Sequence, residues 1–146
     1  MKLATIECPA AALPVIVILP PETPVSAVLR AARDLISVPE RWTKWGFHFA
    51  EKPETYRDAV EMPHASLEQA TCFCSWGAIN AVSGAGEGFV SSAAYSALRD
   101  TITRETGRNG IPTFNDHEGT SHADVLRMFN RAIRHAEARE ALEAIH

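Results

Sequence analysis

The sequence predicts an α+β domain, mainly α, with about four helices packed against a small sheet of two or three short strands. Three observations support this fold class. Apolar residues recur at helical spacing in several segments, two short segments have the composition of strands, and no linker or internal repeat divides the chain. Its 146 residues are close to the commonest length of one domain, so we expect a single domain over residues 1–146.

The first predicted elements are a strand and a helix. Residues 15–19 read Val-Ile-Val-Ile-Leu, which is typical of a buried strand, and prolines flank them. The run is too short to span a bilayer, and the prolines argue against a cleavable signal peptide. Thr23 is the expected N-cap of the first helix, with Pro24 at its first helical position. The helix should extend to about Ser37, before Pro39.

The middle of the chain predicts a second strand, a loop and a second helix. Residues 45–49 alternate, with three aromatic side chains on one side, as in a strand. Residues 51–66 are polar and contain two prolines, which indicates a surface loop. The second helix is expected over about 67–82, and the glycine-rich run 83–88 should end it.

The C-terminal part predicts two further helices. The third should cover about 91–105, and a turn-rich connection with a short extended piece should occupy 107–119. The fourth is the clearest element of the sequence. Ser121 and Asp124 have the spacing of a capping box, with Asp in place of the usual Glu or Gln.

Charge and composition exclude several classes of function. The formal net charge is −4 and the sequence pI is about 5.8, and no Lys/Arg-rich run exists. The sequence therefore predicts no general affinity for nucleic acid, which requires a basic surface. We expect no membrane association and no cofactor. Repeated alanines on the helix surfaces allow self-association.

Cysteine usage predicts a reducing location. Cys8, Cys72 and Cys74 are an odd number and lack the spacing of a disulfide framework. A cytoplasmic protein is the simplest interpretation.

Several segments together resemble a known family. They are residues 32–36 followed by 39–44, then 72–79, and finally 114–116 with 122–126 and 132–133. In this order and spacing they resemble domain-of-unknown-function family six-one-nine-seven, which groups small proteins of bacteria and their phages. The matching positions are Trp42, Cys74, Gly77, Ala78, Asn115, Asp116 and His122.

The resemblance covers about residues 27–136 and leaves out the predicted strand at 15–19. The large side chain of Trp45 and the long segment 51–66 depart from the family pattern. The resemblance supports the domain assignment, and it implies no activity because the family has none assigned.

One candidate chemistry is that of a cysteine hydrolase or transferase. Cys74 is expected near the N-terminal end of a helix, where the helix dipole favours a nucleophilic thiolate. His122 is the expected base, and Asn115 or Asp116 would orient it. The alternative is that Cys74 packs in the core, since free cysteine is among the most buried residue types.

A second candidate is a zinc site formed by Cys72, Cys74, His117 and His122. The spacing of the two histidines fits zinc ligands, whereas cysteines two positions apart diverge on a helix. The sequence therefore favours no metal.

A third candidate is a binding surface around Trp42 and Trp45. These aromatic side chains lie beside Lys44 and could stack on a ligand or partner group. The alternative is that they pack the small sheet against the helices.

Together these observations favour a small accessory or regulatory binding protein of bacterial or phage type, acting through a macromolecular partner or a small ligand. A cysteine enzyme with Cys74 as nucleophile is the alternative, and a zinc-stabilised domain comes third. A non-enzymatic role is the preferred expectation.

Overall fold

The computed structural model describes residues 13–84 and 92–145. This part of the chain is mainly helical, with one two-stranded antiparallel sheet, so the predicted α+β class is confirmed. The helices are α1 (Val25–Leu35), α2 (Tyr56–Glu61), α3 (Ser75–Ser83), α4 (Ala93–Thr106), α5 (Ile111–Asn115) and α6 (His122–Ala144). The strands are β1 (His48–Phe49) and β2 (Cys72–Phe73), and 3₁₀ turns cover Pro39–Arg41 and Leu67–Gln69. No helix of the described ranges is long and apolar enough to cross a membrane.

Helix α1 lies at the centre of the helical core and packs against α3, α4 and α6. Its apolar positions recur at helical spacing, so Leu29 and Ala32 face inward and are completely buried. Leu98 of α4 and Phe129 of α6 are also fully buried in this core. Burial of each large side chain contributes roughly 1.5–3 kcal/mol to the free energy of unfolding.

The start of α1 differs from the prediction. The helix begins at Val25, one residue later than expected, so Pro24 occupies the N-cap position and Thr23 lies outside the helix. Proline has no side-chain acceptor, and a distant residue caps the helix instead. The Glu140 carboxylate of α6 accepts hydrogen bonds from the Ser26 N–H at 3.0 Å and the Ser26 hydroxyl at 2.5 Å. A tertiary hydrogen bond therefore satisfies the Ser26 N–H, which has no acceptor within α1.

The predicted strand at 15–19 is wrong, because no strand forms there. The Leu19 N–H donates to the Val82 carbonyl at 2.8 Å, and Ile16 and Leu19 pack partly against the core. Val15 and Val17 point outward and are 85% and 64% exposed. β-branched composition favours an extended backbone, but a strand also needs a neighbouring strand, and the described residues provide none beside this segment.

The sheet is smaller than predicted. In the antiparallel pair, His48 lies opposite Phe73 and Phe49 lies opposite Cys72. Only the last two residues of the predicted strand 45–49 belong to β1, because Trp45 has a φ of 72° and turns the backbone. An isolated parallel bridge joins Trp42 to Phe73 and brings residues 42–45 next to the sheet.

The predicted helix over 67–82 is wrong in its first half. Residues 67–69 form a 3₁₀ turn, residues 72–73 form β2, and α3 starts only at Ser75. Pairing with β1 overrides the helical pattern of this segment. The end of the helix agrees with the prediction, since Gly84 has a left-handed backbone at the C-cap. Residues 85–88 of the glycine-rich run lie outside the described residues.

Two short helices occupy segments in which we expected none. Helix α2 lies within the predicted loop 51–66, where the Thr55 hydroxyl accepts a hydrogen bond from the Asp58 N–H at 3.1 Å. Helix α5 replaces the predicted extended piece near 111–114. Both are too short to show a helical repeat in the sequence.

The third predicted helix corresponds to α4, although residue 91 is outside the described part.

The capping box of α6 is confirmed. The Asp124 N–H donates to the Ser121 hydroxyl at 3.1 Å, and the Ser121 N–H donates to the Asp124 carboxylate at 2.9 Å. The backbone hydrogen bond from Ser121, followed by the one from the Arg127 guanidinium, lowers the pKa of Asp124 below its ordinary value. The carboxylate therefore stabilises the start of α6 in its charged form.

We expect Asp124→Asn to reduce the free energy of unfolding by about 0.5 kcal/mol near neutral pH, since the site is partly exposed. Because folding lowers the pKa, this stabilisation is present above the pKa of the unfolded chain. It is lost as the pH falls through the folded-state pKa. Urea unfolding of both proteins at about pH 7 and about pH 2 checks this, with the exposed Glu51→Gln as control. A difference that persists at the acidic pH would mean that Asp124 acts through something other than its charge.

Candidate functional site

The side chain of Asn115, at the end of α5, is completely buried and links three segments of the chain. Its carbonyl oxygen accepts hydrogen bonds from the Trp42 indole N–H at 2.9 Å, the Ser75 N–H at 3.0 Å and the Ser75 hydroxyl at 2.6 Å. Its amide group donates to the Thr43 carbonyl at 3.0 Å and to the Asp116 carboxylate at 2.9 Å. The amide thus fixes residues 42–43 and the start of α3 relative to α5.

Asp116 extends this network to Trp45. Its Oδ1 atom accepts the Trp45 N–H at 2.9 Å in addition to the amide of Asn115. Trp45 has a φ of 72°, in the left-handed region that bulky residues rarely adopt. The hydrogen bond to Asp116 stabilises this conformation, which directs the chain from Lys44 into Gly46 and β1.

A cavity of about 440 Å³ lies against this segment. Its walls are formed by Trp42, Thr43, Lys44, Trp45, Lys52, Pro53 and Glu54. The volume is within the range of small-molecule sites. Its walls thus contain the indoles of the two tryptophans, the ammonium groups of the two lysines and the carboxylate of Glu54.

Both lysines of the cavity lie over the ring of Trp42. The Lys44 and Lys52 ammonium nitrogens are 5.6 and 5.8 Å from the ring centroid, within the range of a cation–π contact. Lys44 also donates to the His117 carbonyl at 2.6 Å, and Lys52 donates to the Pro39 carbonyl at 2.7 Å. Partial burial lowers the pKa of Lys44, and the carboxylates of Asp116 and Glu118 act in the opposite direction.

The side chain of Trp42 fits the core-packing alternative better than an exposed binding surface. It is only 7% exposed, since it packs in the core and donates its N–H to Asn115. Its ring nevertheless forms part of the cavity wall. Trp45 is half-buried and lines the same cavity. The two predicted residues therefore share one concave site and do not form a flat surface patch.

Cys74 occupies the N-cap of α3, so the expected position at a helix start is correct. Its sulfur accepts a hydrogen bond from the Gly77 N–H at 3.2 Å. Burial, with a smaller contribution from the Asp116 charge, raises the pKa of the thiol from 9.0 to about 12 despite that hydrogen bond. The thiol is therefore protonated at neutral pH, which does not favour nucleophilic attack.

The side chain of His122 is engaged elsewhere. Its Nε2 atom is 2.7 Å from the Ile36 carbonyl, and a carbonyl can only accept, so Nε2 carries the hydrogen. The imidazole ring also lies 5.7 Å from the Trp42 ring centroid. The hydrogen bonds of Asn115 and Asp116 described above do not involve His122. These bonds do not connect Cys74, His122 and an orienting residue, and the cysteine-enzyme hypothesis stays a prediction.

The zinc candidates also have separate roles. Cys72 is fully buried in β2, where its thiol contacts the Phe49 carbonyl. His117 is exposed, and its Nδ1 atom accepts the Gly119 N–H at 2.9 Å. Within residues 13–84 and 92–145, no three His, Cys, Asp or Glu side chains converge as a metal site would require.

A larger groove of about 770 Å³ runs between the start of α1, α4 and the C-terminal half of α6. Charged side chains of both signs line it, among them Asp100, Arg104, Arg139 and Glu143. Its Glu140 carboxylate already caps α1. We interpret this groove as a seam between helices, because charges of both signs line it and one of them, Glu140, is used structurally.

Sequence reasoning did not identify Lys52 or Pro53 as site residues. They follow β1 in the segment that we predicted as a surface loop, and only the tertiary fold brings them to Trp42. One signal was available. The chain contains three lysines, and two of them, Lys44 and Lys52, lie on either side of the aromatic segment.

Comparison with known proteins gives one match. A family model described as "Family of unknown function (DUF6197)" matches residues 20–135. This is the family that the sequence resembles, and the match starts somewhat earlier than the expected residue 27. The segment 15–19 lies outside it. No curated protein and no solved structure matches the chain significantly.

We expect Asn115→Ala to lower the free energy of unfolding by about 3 kcal/mol or more, since it leaves several buried polar groups of Trp42, Thr43 and Ser75 without a partner. Urea unfolding measures this loss. The exposed Asn109→Ala is the matched control and should change the free energy by less than about 0.5 kcal/mol. Equal, small effects of both substitutions would show that the Asn115 amide does not hold these segments together.

We expect Cys72 and Cys74 to resist iodoacetamide in the native protein near neutral pH and to react after unfolding in urea. Both are buried, and burial raises the pKa of both thiols. Pulse alkylation across pH, read by peptide mass spectrometry, tests this. Reaction of native Cys74 with a midpoint below the ordinary thiol pKa would instead favour the cysteine enzyme. His122→Ala should then raise that midpoint.

Proposed function

The chain belongs to this family of unknown function, and from the geometry of its own residues we propose that it is a small binding protein of accessory or regulatory type. The observation that carries the proposal is the cavity lined by Trp42, Trp45, Lys44 and Lys52. The family resemblance adds a bacterial or phage setting to this proposal. The free thiols of Cys72 and Cys74 favour a reducing compartment such as the cytoplasm.

The support for binding comes from how rigidly the cavity is held. Hydrogen bonds with Asn115 and Asp116 hold three residues of its wall, Trp42, Thr43 and Trp45. The left-handed backbone of Trp45 is a conformation that only surrounding structure can maintain. A preformed site binds more tightly because little ordering is required when the ligand arrives.

The composition of the cavity favours binding over cysteine catalysis. Its seven lining residues include neither a cysteine nor a histidine. Cys74, the predicted nucleophile, is 8% exposed and its sulfur is occupied by the Gly77 N–H. A concave space of about 440 Å³ suits a small molecule better than the flat face of a macromolecule.

A neutral aromatic probe tests whether the cavity binds. N-phenyl-1-naphthylamine becomes fluorescent on entering an apolar site, and we expect saturable binding to the wild-type protein. Trp45→Gly should weaken it at least about tenfold, because an aromatic wall is removed. Glycine is chosen because it adopts a positive φ without strain, so the fold should be retained.

The matched control is Tyr56→Ala. Tyr56 is a 66% exposed aromatic residue on α2 that does not line the cavity, and its substitution should leave probe binding unchanged. Urea unfolding of each variant verifies the fold. Equal binding by wild type and Trp45→Gly, with both proteins folded, would place the binding site elsewhere and overturn the proposal.

A further inference from the structure

We propose that this cavity binds a small organic anion, whose carboxylate or phosphate lies between the ammonium groups of Lys44 and Lys52 and whose apolar body packs on Trp45 and Pro53. The inference rests on the proposed function and specifies the chemistry of its ligand. It starts from the convergence of two lysines over the single indole of Trp42.

This concentration of lysine is unusual for the chain. The sequence contains only three lysines among its 14 basic residues, and both of those in the described ranges line this one cavity. Elsewhere in the described ranges the positive charge is carried by arginines, several of which pair with acidic residues, as Arg127 does with Asp124. Within the described part of the chain, neither Lys44 nor Lys52 forms an ion pair, and both line the cavity.

The ammonium groups have unused hydrogen-bond donors. An ammonium carries three N–H donors and no acceptor. Lys44 uses one donor on the His117 carbonyl and Lys52 uses one on the Pro39 carbonyl. The remaining donors of the two groups suit the several lone pairs of a carboxylate or phosphate.

Those two backbone bonds also hold the charges in place. An exposed lysine must lose side-chain entropy when it grips an anion, whereas a lysine already hydrogen-bonded to a carbonyl loses less. The surroundings strengthen the attraction as well. Trp42 and Pro53 are buried, and charges beside such apolar groups attract more strongly than charges in bulk water. Partial burial lowers the pKa of Lys44 because it removes water from around the ammonium group. An incoming anion would take the place of that water.

Three carboxylates near the cavity limit the charge of the ligand. Asp116 is committed to the Trp45 N–H and the Asn115 amide. Glu118 is exposed and acts on Lys44 over a distance, while Glu54 lines the cavity itself. Their negative charge opposes a polyanion, and the Glu54 oxygens can accept a hydrogen bond from a donor on the ligand. One anionic group on a small molecule fits this balance better than a nucleic-acid backbone.

The first test compares two probes that differ in charge. 8-Anilinonaphthalene-1-sulfonate shares the aromatic frame of N-phenyl-1-naphthylamine and adds one anionic group. We expect Lys44→Gln and Lys52→Gln each to weaken binding of the sulfonate about tenfold. The neutral probe should lose clearly less affinity than the sulfonate, so that the ratio of the two affinities falls at least about fivefold. Arg134→Gln, which removes the same charge from an exposed site on α6, should affect neither probe.

The second test identifies the anionic group by displacement of the bound sulfonate probe. Benzoate and phenyl phosphate offer a carboxylate and a phosphate on the same ring, and benzyl alcohol is the neutral control. Displacement by either anion at concentrations well below those of benzyl alcohol supports the inference, and the stronger one names the group. Displacement by an oligothymidylate at lower phosphate concentration than phenyl phosphate would overturn it in favour of a single-stranded nucleic acid.

The outcomes separate this inference from the proposed function. If the lysine variants weaken both probes equally, or neither, the anion assignment is wrong, whatever the effect of Trp45→Gly. If Trp45→Gly leaves the neutral probe unaffected, the cavity itself is not the site and both proposals fall. Urea unfolding midpoints close to that of the wild type are required of every variant, so that lost binding is not lost folding.

Discussion

The buried carboxamide of Asn115 is the interaction on which the region around the cavity depends. The elements that meet there are very short, with five residues in α5 and two in each strand. Segments of this length cannot hold their own geometry in water. The amide joins them through the indole of Trp42, the start of α3 at Ser75 and the carbonyl of Thr43. In a dry interior each of these bonds is costly to lose, so the arrangement is unique as well as stable.

A second constraint acts at Gly77, in the first turn of α3. A Cβ atom on Gly77 would lie 1.9 Å from the Phe47 carbonyl oxygen, so only glycine allows the first turn of α3 to approach β1 this closely. The same approach buries Cys74, whose sulfur caps the turn. A helix N-terminus favours a thiolate, and burial opposes it. Burial dominates here, since the pKa of Cys74 rises to about 12. Close packing therefore keeps the thiol protonated while its sulfur caps the first turn of α3.

The parts of the fold that could be predicted are those whose signal is local. Helices α1, α4 and α6 are long and periodic, and the capping box at Ser121 marks the start of α6. The short helices, the split of the predicted helix over 67–82 and the absence of a strand at 15–19 depend on tertiary partners, which a single sequence does not display. The sequence also singled out Asn115, but as a residue that would orient His122 in a cysteine enzyme. Its partners, and the position of Lys52 beside Trp42, arise only when the chain folds.

The whole chain is negatively charged, whereas Lys44 and Lys52 place two positive charges at the cavity. This contrast bears on what can bind. At a net charge of −4 the surface repels anions at long range, but at physiological salt that repulsion fades within about 8 Å. A small anion inside the cavity lies within this distance of Lys44 and Lys52, and it interacts mainly with them. A polyanion must also lie across the acidic surface outside, which includes Glu118. In the proposed site, local attraction with global repulsion would therefore select for size as well as for charge.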